Sequence, residues 1–362
     1  MKAAIFEEVG KPLVISDITL GDMGPHEVRV RTAAVGLCHS DLHYIDGTVA
    51  QPMPVVLGHE VAGVVEAVGA HVTRMKPGDH VVGCLSVFCG TCEHCIGGNL
   101  VNCSNQSVRY LPGQAQRITR EGVHVNQGFN LGAFAEEMLV HENALVKVRD
   151  DMPLDRAALI GCGVLTGTGS VIRTAKVPPG STVAVIGCGG VGLSAVMGAR
   201  LAGALRIIAI DILDSKLELA REFGATDVIN GRDGDSVQKV IEMTRGGVNY
   251  AFECIGAKRT AEQAFEMLAT GGTVTLMGVM PPEMMIEFSG RDLFYRQKKI
   301  LGCFMGSNQF PTDIPRLCDF YMDGRLPLDQ MISKRIRLDQ INEGFEDLKA
   351  GNVARSVVTF DI

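Results

Sequence analysis

The amino-acid sequence predicts an α/β protein that combines a β-rich domain with a doubly wound parallel sheet. Length is the first observation, because 362 residues exceed what one hydrophobic core usually serves. The second is a series of short apolar segments, separated by Gly, Pro and Asp, in the first part of the chain. The third is a regular alternation of strand and helix patterns that follows them. We therefore expect two domains of different architecture.

The early segments have the composition of short strands between turns. They contain Val-rich alternating runs, and glycine, proline or aspartate separates them. The clearest are "EVRVRTAAVG" (27–36), "VVLGHEVAGVVEAVG" (55–69) and "DHVVGCLSV" (79–87). This pattern indicates a β-rich domain of barrel type.

The alternating block begins with the apolar strand "STVAVIG" (181–187), and a helix rich in small residues (188–204) follows. A second buried strand, "LRIIAID" (205–211), and an amphipathic helix (214–224) come next. This spacing predicts parallel β-α-β units with right-handed crossovers. Because the tail is less regular and ends in a further strand, we expect the block to be inserted into the first domain. The expected parts are 1–163, 164–304 and 305–362.

Composition restricts the possible partners. The formal net charge of −7 argues against a nucleic-acid surface, which needs clustered Lys and Arg. The N-terminal segment carries acidic groups and a proline where a secretory peptide needs an uninterrupted apolar stretch. No apolar run reaches the roughly 20 residues that span a bilayer. We expect a cytoplasmic protein that acts on a small molecule, with no nucleic-acid or membrane partner.

Four of the eleven cysteines lie in one short segment: Cys89, Cys92, Cys95 and Cys103. In a reducing compartment, clustered cysteines are more often metal ligands than disulfides. Four thiolates in one loop fit a closed, tetrahedral structural zinc site. His94 lies among them, but four thiolates already complete the coordination of the zinc ion.

Three different uses of these thiols compete with structural zinc. An iron–sulfur cluster fits less well, because the last gap is seven residues and Ser104 stands where the ferredoxin pattern has proline. A redox C-x-x-C pair would need only two cysteines. Disulfides are disfavoured in a reducing compartment.

A glycine motif of the form G-x-G-x-x-G opens the helix after the first strand of the block. It spans the six residues Gly187, Cys188, Gly189, Gly190, Val191 and Gly192. Its three defining glycines allow a tight turn, close approach to a pyrophosphate, and close packing of helix on strand, while the helix N-terminus favours phosphate.

The next strand of the block ends at Asp211. A carboxylate at this position binds ribose hydroxyls and repels a 2′-phosphate, so NAD is favoured over NADP. Lys216 either reaches the same ribose or is a solvated helix lysine.

A second set of candidate metal ligands is dispersed over three segments. Cys38, His59 and Cys162 provide two thiols and an imidazole, and a catalytic zinc site needs about three protein ligands and one open position. Two thiolates would bring the charge of a bound Zn²⁺ near zero and leave it a Lewis acid. Taken singly, each residue could equally be a packed cysteine or a hydrogen-bonded histidine.

Several segments together resemble the zinc-dependent medium-chain alcohol dehydrogenase family, and the Rossmann half resembles its class III members. The segment "GHEVAGVVEAVG" (58–69) is similar to the family's zinc signature. Four others fall in the family's order, namely "GLCHSDLH" (36–43), "GCGVLTG" (161–167), "GCGGVGLS" (187–194) and "ARSVVTF" (354–360). The resemblance implies a GroES-like catalytic domain, a Rossmann domain, two zinc ions per subunit and reversible NAD-linked oxidation of an alcohol. It also implies a homo-oligomer, a dimer or a tetramer.

The resemblance assigns Cys38, His59 and Cys162 as ligands of the catalytic zinc. Glu60 then matches an acidic residue near the metal that coordinates transiently or helps ligand exchange. Asp41 matches a carboxylate that orients His59.

Other positions match the proton relay and the cofactor contacts. Ser40 corresponds to the hydroxyl that hydrogen-bonds the substrate oxygen, and His43 to the base at the solvent end of the relay, a task suited to a group that titrates near neutral pH. Thr166 falls beside the nicotinamide, and Arg355 matches an arginine at the pyrophosphate. His39 occupies a position where other members carry an arginine facing the cofactor phosphates, so we expect altered cofactor release.

The substrate is the least determined feature. Val49 and Leu85 fall at pocket-lining positions of the family, and both are apolar, which suits a hydrophobic or aromatic primary alcohol. An S-(hydroxymethyl)glutathione dehydrogenase of the same family is the nearest rival, although the segment after His43 lacks the acidic insert of those enzymes. A non-catalytic NAD- or zinc-binding protein is the rival from another class. The segment 104–131 matches no pattern.

Overall fold

The structure is a computed structural model, and it describes residues 1–109, 116–351 and 353–361. The chain forms two compact units. Unit 1 comprises Met1–Gly163 and Gln309–Ile362, and unit 2 comprises Val164–Asn308. Unit 2 therefore ends at 308 instead of the expected 304. The reason is a tight turn at Gly306, whose Cα approaches Gly169 so closely that a Cβ on either residue would clash with the other.

The first part of unit 1 contains short strands, three short helices and several 3₁₀ turns. The strands are β1 (Lys2–Phe6), β2 (Val14–Asp17), β3 (Thr19–Leu20), β4 (Glu27–Gly36), β5 (Val55–Val56), β6 (Glu60–Val68), β7 (His80–Gly83), β8 (Ile118–Arg120), β9 (Val123–Gln127), β10 (Glu137–His141) and β11 (Leu145–Lys147). The helices are α1 (His39–Ile45), α2 (Glu93–Ile96) and α3 (Leu154–Leu159). The 3₁₀ turns are Leu100–Asn102, Gln106–Val108, Gly128–Asn130 and Glu142–Ala144.

Unit 2 alternates strand and helix, as the sequence predicts. Its strands are β12 (Thr182–Ile186), β13 (Arg206–Asp211), β14 (Asp227–Asn230), β15 (Val248–Glu253), β16 (Leu268–Leu276) and β17 (Lys299–Gly302). Its helices are α4 (Leu165–Gly169), α5 (Gly190–Leu201), α6 (Asp214–Phe223), α7 (Ser236–Thr244), α8 (Lys258–Glu266) and α9 (Gly290–Tyr295), and Met305–Ser307 is a 3₁₀ turn.

The chain then returns to unit 1. Its last elements are α10 (Phe310–Met322), α11 (Leu328–Met331), β18 (Ile332–Ile336), the 3₁₀ turn Leu338–Gln340, α12 (Ile341–Lys349) and β19 (Arg355–Thr359). The second segment of unit 1 thus adds two strands and three helices to the fold begun by the first.

Unit 1 is built on two sheets. One has the order β2-β1-β5-β9-β8-β3, and the other has the order β11-β7-β6-β4-β19-β18, with β10 also paired to β4. The final strand β19 therefore lies in the middle of a sheet that the first part of the chain begins. One buried apolar cluster fills the unit and includes Phe6, Val30, Leu57, Phe134 and Phe345.

Unit 2 holds one parallel sheet of six strands in the order β14-β13-β12-β15-β16-β17. Its central strands are almost wholly buried because helices cover both faces of such sheets. From β12 the chain adds strands towards one edge of the sheet, and from β15 it adds strands towards the other edge. In open α/β sheets, ligands bind in the crevice at the carboxyl ends of the two strands where the direction changes. This position places the glycine motif, which follows β12, at that crevice.

One helical stretch, Leu154–Thr174, is long and apolar enough to cross a membrane by length and composition, and 83% of its most apolar window is buried. Asp155, Arg156 and Arg173 limit its uncharged part to 157–172, which is shorter than the roughly 20 residues of a bilayer-spanning run. The helix combines α3, α4 and two π-helical turns, Ile160–Val164 and Ser170–Thr174. Such burial is typical of a core helix in a globular protein.

Candidate active site

Four buried side chains converge in unit 1. One ligand atom from each of Cys38, His59, Glu60 and Cys162 lies within 4.8 Å of all the others. Strand pairing explains part of this, because Gly36 at the end of β4 is in register with Glu60 at the start of β6. Cys38 follows β4 as the N-terminal cap of α1, and Cys162 lies on the first π-helical turn. Residues remote in sequence thus form one donor cluster.

Asp41 fixes the orientation of the histidine in this cluster. Its Oδ1 accepts hydrogen bonds from the Gly58 amide at 3.0 Å and from His59 Nδ1 at 3.2 Å, and its Oδ2 accepts one from the Cys38 amide at 3.3 Å. Burial opposes charge on His59, but the neighbouring Asp41 carboxylate and Cys38 thiolate raise its pKa well above the usual range. The other ring nitrogen, His59 Nε2, is buried without a hydrogen-bond partner. This nitrogen is therefore the one available to a metal.

Glu60 is held by one of its two oxygens. Its Oε1 accepts hydrogen bonds from the Gly163 amide and from Arg355 Nη2, each at 3.2 Å. Its Oε2 is buried and has no hydrogen-bond partner. Burial raises the pKa of Glu60 to about 8, against the opposing charge of Arg355. One carboxylate oxygen is thus anchored, and the other is free within the donor cluster.

Arg355 lies on β19 of unit 1, where its side chain is only 3% exposed. The charges of Glu60, Cys38 and Cys162 keep its pKa above the usual range despite burial. The structure therefore pairs this residue with Glu60 and not with solvent. Its contact with a cofactor pyrophosphate stays a prediction.

The two thiols of the cluster share a proton. A hydrogen bond from Cys162 lowers the pKa of Cys38 well below the usual range, and the same interaction, together with burial, raises the pKa of Cys162. One thiolate is thus favoured already, and a divalent cation would displace the remaining thiol proton and the proton that the raised pKa keeps on His59. Two sulfurs, a neutral imidazole with an unpartnered buried nitrogen, and a free position suit Zn²⁺ in a catalytic site.

The predicted proton-relay residues follow Cys38 on α1. Ser40 Oγ lies 3.7 Å from Cys38 Sγ, so the hydroxyl borders the donor cluster. His43 lies one helical turn further and is half-buried, with its Nδ1 buried and without a hydrogen-bond partner. The spacing of three residues places both side chains on one face of the helix. Their roles in proton transfer stay predictions.

The four clustered thiols form a second donor group. Cys89, Cys92, Cys95 and Cys103 offer sulfurs that all lie within 4.8 Å of one another. Three of the separations are 3.5, 3.9 and 3.9 Å. A tetrahedron of Zn–S bonds of about 2.3 Å has sulfurs about 3.8 Å apart. The group therefore has the size of a four-thiolate zinc site with no open position.

Backbone amides point at these sulfurs. Cys89 Sγ accepts from the amides of Thr91 at 3.4 Å and Cys92 at 3.3 Å, and Cys103 Sγ accepts from the Cys89 amide at 3.3 Å. Hydrogen bonds from the Thr91 hydroxyl and these amides lower the pKa of Cys89 to about 5. Amides that stabilise thiolate before metal binding favour this group as a metal site. His94 lies beside Glu93, and 41% of its side chain is exposed.

The glycine motif has the geometry that each glycine was expected to provide. Gly187 has a φ of 92°, which favours glycine. A Cβ on Gly189 would meet no atom within 4 Å, so its backbone faces open space, whereas a Cβ on Gly192 would lie 1.7 Å from the Gly187 carbonyl oxygen. Gly190 begins α5 and Val191 follows it. The motif thus forms a compact turn with an open edge at the helix N-terminus.

Asp211 faces this turn. Its Oδ2 accepts a hydrogen bond from the Cys188 amide at 2.7 Å, and its Oδ1 accepts from the amides of Ile212 and Leu213. Ile212 is 52% exposed. A carboxylate and an exposed apolar side chain at a strand end suit the ribose and base of a nucleotide. Lys216 is half-buried on α6, and its contact with the ribose stays a prediction.

The remaining predicted residues are not among the four donors of the cluster. Thr166 is buried in unit 2 and donates its hydroxyl hydrogen to Met305 Sδ at 3.6 Å. His39 is exposed at the start of α1, and Leu85 and Val49 are half-buried. The Val49 amide donates to the His43 carbonyl. Their contacts with cofactor or substrate stay predictions.

One contact at the donor cluster was not anticipated. The Phe129 ring packs on the His59 imidazole with ring centroids 4.2 Å apart, and Tyr44 meets Phe129 edge-on at 5.2 Å. Phe129 has a φ of 56°, uncommon for a bulky residue. A single phenylalanine in the unassigned segment 104–131 carries no sequence signal for this contact. Residues 110–115 of that segment lie outside the described residues.

Two family profiles match the chain. Residues 24–150 match the alcohol dehydrogenase GroES-like domain, and residues 190–320 match the zinc-binding dehydrogenase family. The first match includes Cys38, His59 and the four clustered thiols, and the second includes Asp211.

Solved structures resemble the whole chain. An alcohol dehydrogenase zinc-binding domain protein from Burkholderia ambifaria is 36% identical, with a TM-score of 0.96 over 100% of this chain and 99% of that one. Benzyl alcohol dehydrogenase from Acinetobacter calcoaceticus is 35% identical, with a TM-score of 0.93 over 99% of each chain. A zinc-binding dehydrogenase from Sinorhizobium meliloti, bound to NADP, is 30% identical, with a TM-score of 0.84 over 99% of each chain.

These likenesses and the two-unit fold place the chain in the zinc-dependent medium-chain alcohol dehydrogenase family. Unit 1 is thus a GroES-like domain, and unit 2 is a Rossmann domain. The protein is an oxidoreductase that depends on zinc and uses a nicotinamide cofactor. That the donor cluster around His59 holds the zinc and the glycine motif binds the cofactor stays a prediction.

Proposed function

We propose that the protein interconverts a hydrophobic, aromatic primary alcohol and its aldehyde, with zinc at Cys38, His59 and Cys162 and with NAD as hydride acceptor. The observation that carries this proposal is the donor cluster itself. His59 Nε2 is buried, unpartnered and held in place through Asp41, and two sulfurs lie within 4.8 Å. A buried nitrogen without a partner is costly, and a metal ion would relieve that cost.

Zinc bound there would supply a Lewis acid that stabilises negative charge on the alcohol oxygen, and NAD would accept the hydride. The protein's own task is then to remove the hydroxyl proton. Ser40 borders the cluster and can accept that proton while passing its own onward. His43 has an unpartnered Nδ1 and can receive a proton at the outer end. Because proton transfer needs aligned partners, the shared face of α1 supports this order.

NAD is proposed over NADP because of Asp211. Its carboxylate stands at the end of β13, where the adenosine ribose of a dinucleotide would lie. A negative charge at this position repels a 2′-phosphate. The Sinorhizobium meliloti relative is bound to NADP, so the choice needs a direct measurement.

The substrate class is proposed from one relative and from the side chains of unit 1. The Acinetobacter calcoaceticus relative is a benzyl alcohol dehydrogenase and is 35% identical over nearly the full length. Phe129 and Tyr44 pack beside His59, and Val49 and Leu85 are apolar. Aromatic groups near the metal ligands favour an aromatic alcohol through edge and face contacts.

A substrate panel tests the proposal. We expect purified, zinc-loaded protein to oxidise benzyl alcohol with NAD faster than hexan-1-ol, and far faster than S-hydroxymethylglutathione. NADP should be a poor substitute for NAD. The Cys38→Ala variant should bind NADH but fail to oxidise alcohol, whereas Cys84→Ala, which removes a thiol outside both donor groups, should remain active. Turnover by Cys38→Ala at the wild-type rate would reject the zinc assignment.

We further propose that the protein is a homo-oligomer paired through unit 2. Strand β17 pairs only with β16, which leaves one edge of the sheet open among the described residues. Large apolar side chains flank this edge, and Phe294 and Phe304 are 75% and 61% exposed. An open edge with exposed aromatic groups favours pairing with a second copy. Sedimentation of wild type and Phe304→Asp would test it, since a change to monomer is expected.

A further inference from the structure

A buried carboxylate closes strand β15 at the crevice of unit 2. Glu253 is the last residue of β15, it is 0% exposed, and it stands in register with Ile186, the residue before the glycine turn. Throughout the part of the chain that the structure describes, Glu253 has no ion-pair partner. A charge buried without a cation is costly unless hydrogen bonds replace its hydration.

The donors that replace its hydration all come from the turn that follows. Glu253 Oε1 accepts hydrogen bonds from the amides of Ile255 and Gly256, both at 2.9 Å, and from Thr260 Oγ1 at 2.8 Å. The Gly256 amide also approaches Oε2 at 3.2 Å. One oxygen therefore binds three donors and fixes the path of the turn between β15 and α8.

This turn borders the glycine motif on one side. A Cβ on Gly187 would lie 2.6 Å from Ile255 Cγ1, so Ile255 packs directly over the first glycine of the motif. Ile255 is nevertheless 49% exposed, so part of its side chain is open to solvent. The position of Ile255 depends on the amide that Glu253 holds.

Glu253 also binds the turn that follows β16, through its backbone carbonyl group. The Glu253 carbonyl oxygen accepts from the amides of Met277 at 2.9 Å and Gly278 at 3.2 Å. A Cβ on Gly256 would lie 2.1 Å from the Val279 carbonyl oxygen, so these backbones touch. Glu253 thus links the strand-end turns of β15 and β16 and sets where Ile255 meets the turn of β12.

We propose that Glu253 is a positioning residue of the dinucleotide site, which acts by holding the β15 turn against the glycine motif. The inference rests on the proposed use of NAD. In open α/β sheets a dinucleotide lies across the carboxyl ends of the strands at the switch point, and β12 and β15 form that point here. Glu253 does not touch the nucleotide in this arrangement. Instead it fixes the backbone of the turn and the Ile255 side chain, and these groups contact the nucleotide.

Substitutions can separate hydrogen bonding from charge. In Glu253→Gln, one oxygen remains to accept the three donors now bound by Oε1, and only the charge and the weaker Oε2 contact are lost. In Glu253→Ala, all acceptors are lost. Thr260→Val removes one donor and leaves the carboxylate. Thr182→Val is the matched control, because its hydroxyl bonds to Asn249 Oδ1 at 2.9 Å at the amino edge of the same sheet.

The test is the dissociation constant of NADH, measured by nucleotide fluorescence on zinc-loaded enzyme without alcohol. We expect Glu253→Ala to bind NADH about tenfold more weakly and Thr260→Val about threefold more weakly. Glu253→Gln and Thr182→Val should stay near wild type. The KM for NAD should rise in parallel, while the KM for alcohol and the zinc content should not change, a pattern that general loss of structure would not give.

Three results would overturn the proposal. Unchanged NADH affinity in a folded Glu253→Ala is one. An equal loss in Glu253→Gln and Glu253→Ala is another, since it would make charge the cause. If Glu253→Ala does not fold, a folded Thr260→Val with wild-type affinity decides against it. Wild-type protein that binds no NADH would reject the proposed cofactor as well, whereas normal wild-type binding with unaffected variants rejects only the role of Glu253.

Discussion

Arg355 Nη2 lies 3.2 Å from Glu60 Oε1, and the two side chains are 3% and 0% exposed. Removing one member of a buried ion pair leaves the other charge without compensation, which typically costs about 3–5 kcal/mol. We therefore expect Arg355→Met to lower the free energy of unfolding by about that amount, measured by urea denaturation of the zinc-free protein above pH 8, where Glu60 is ionised. Arg337→Ala is the control, because its pair with Asp339 is exposed and screening by solvent should leave stability nearly unchanged. Equal effects would show that burial does not matter.

The same pair predicts a pH dependence of stability in the zinc-free protein. Glu60 has a folded-state pKa of about 8, raised by burial from 4.5. Between these values the folded state keeps a proton that the unfolded state releases, so the contribution of Glu60 to stability falls as pH rises from 4.5 to about 8. We expect Glu60→Gln to remove this decline. Denaturation of both proteins across the window would measure it, and parallel curves would contradict the assignment.

Asp41 should control how firmly the zinc near His59 is held. Its carboxylate holds His59, the Gly58 amide and the Cys38 amide together. Losing such a carboxylate typically weakens metal affinity by about 10–100-fold. We expect Asp41→Asn to release this zinc correspondingly faster to a chromogenic chelator. Asp46→Asn, at the exposed end of the same helix, should release zinc at the wild-type rate.

The thiol cluster predicts a separable loss of metal. Cys92→Ser should retain about half of the bound zinc, because a structural site rarely survives loss of one of its four ligands. It should also unfold at a lower temperature, since such a site contributes folding energy. His94→Ala should keep both zinc ions, because His94 is outside the thiol group. Metal analysis and thermal denaturation of the two variants test this, and full zinc content in Cys92→Ser would contradict it.

Substitutions of two glycines of the motif should impair the protein in different ways. Gly189→Ala adds a Cβ that meets no atom within 4 Å, so the variant should fold normally but bind NADH more weakly, because the methyl group occupies the space of the pyrophosphate. Gly192→Ala places a Cβ 1.7 Å from the Gly187 carbonyl oxygen and should lower stability as well. Thermal denaturation and NADH titration separate these effects. Wild-type affinity in Gly189→Ala would place the pyrophosphate elsewhere.

Local patterns allowed the sequence to predict the parallel sheet, the glycine motif and the thiol cluster. In each case the relevant residues are close in the chain, so spacing alone constrains geometry. The dispersed set of Cys38, His59 and Cys162 was different. Each residue has an ordinary structural explanation, and only the resemblance to a family joined them.

Contacts between distant residues were not predictable. Glu60 and Arg355 are separated by 295 positions, and no periodicity relates them. The left-handed backbone of Phe129 and the buried charge of Glu253 follow from strand register and turn packing, which a single sequence does not encode visibly.

The π-helical turn at Ile160–Val164 has one further consequence. A wide turn of this kind holds one residue more than a regular α-helical turn, so it shifts the phase of the helix by about 100°. Cys162 lies within this widened turn. Deleting a single residue there would restore an unbroken α-helix and rotate the thiol out of the ligand set. If Cys162 is a zinc ligand as proposed, one insertion or deletion in this turn would decide whether the cluster can hold the metal.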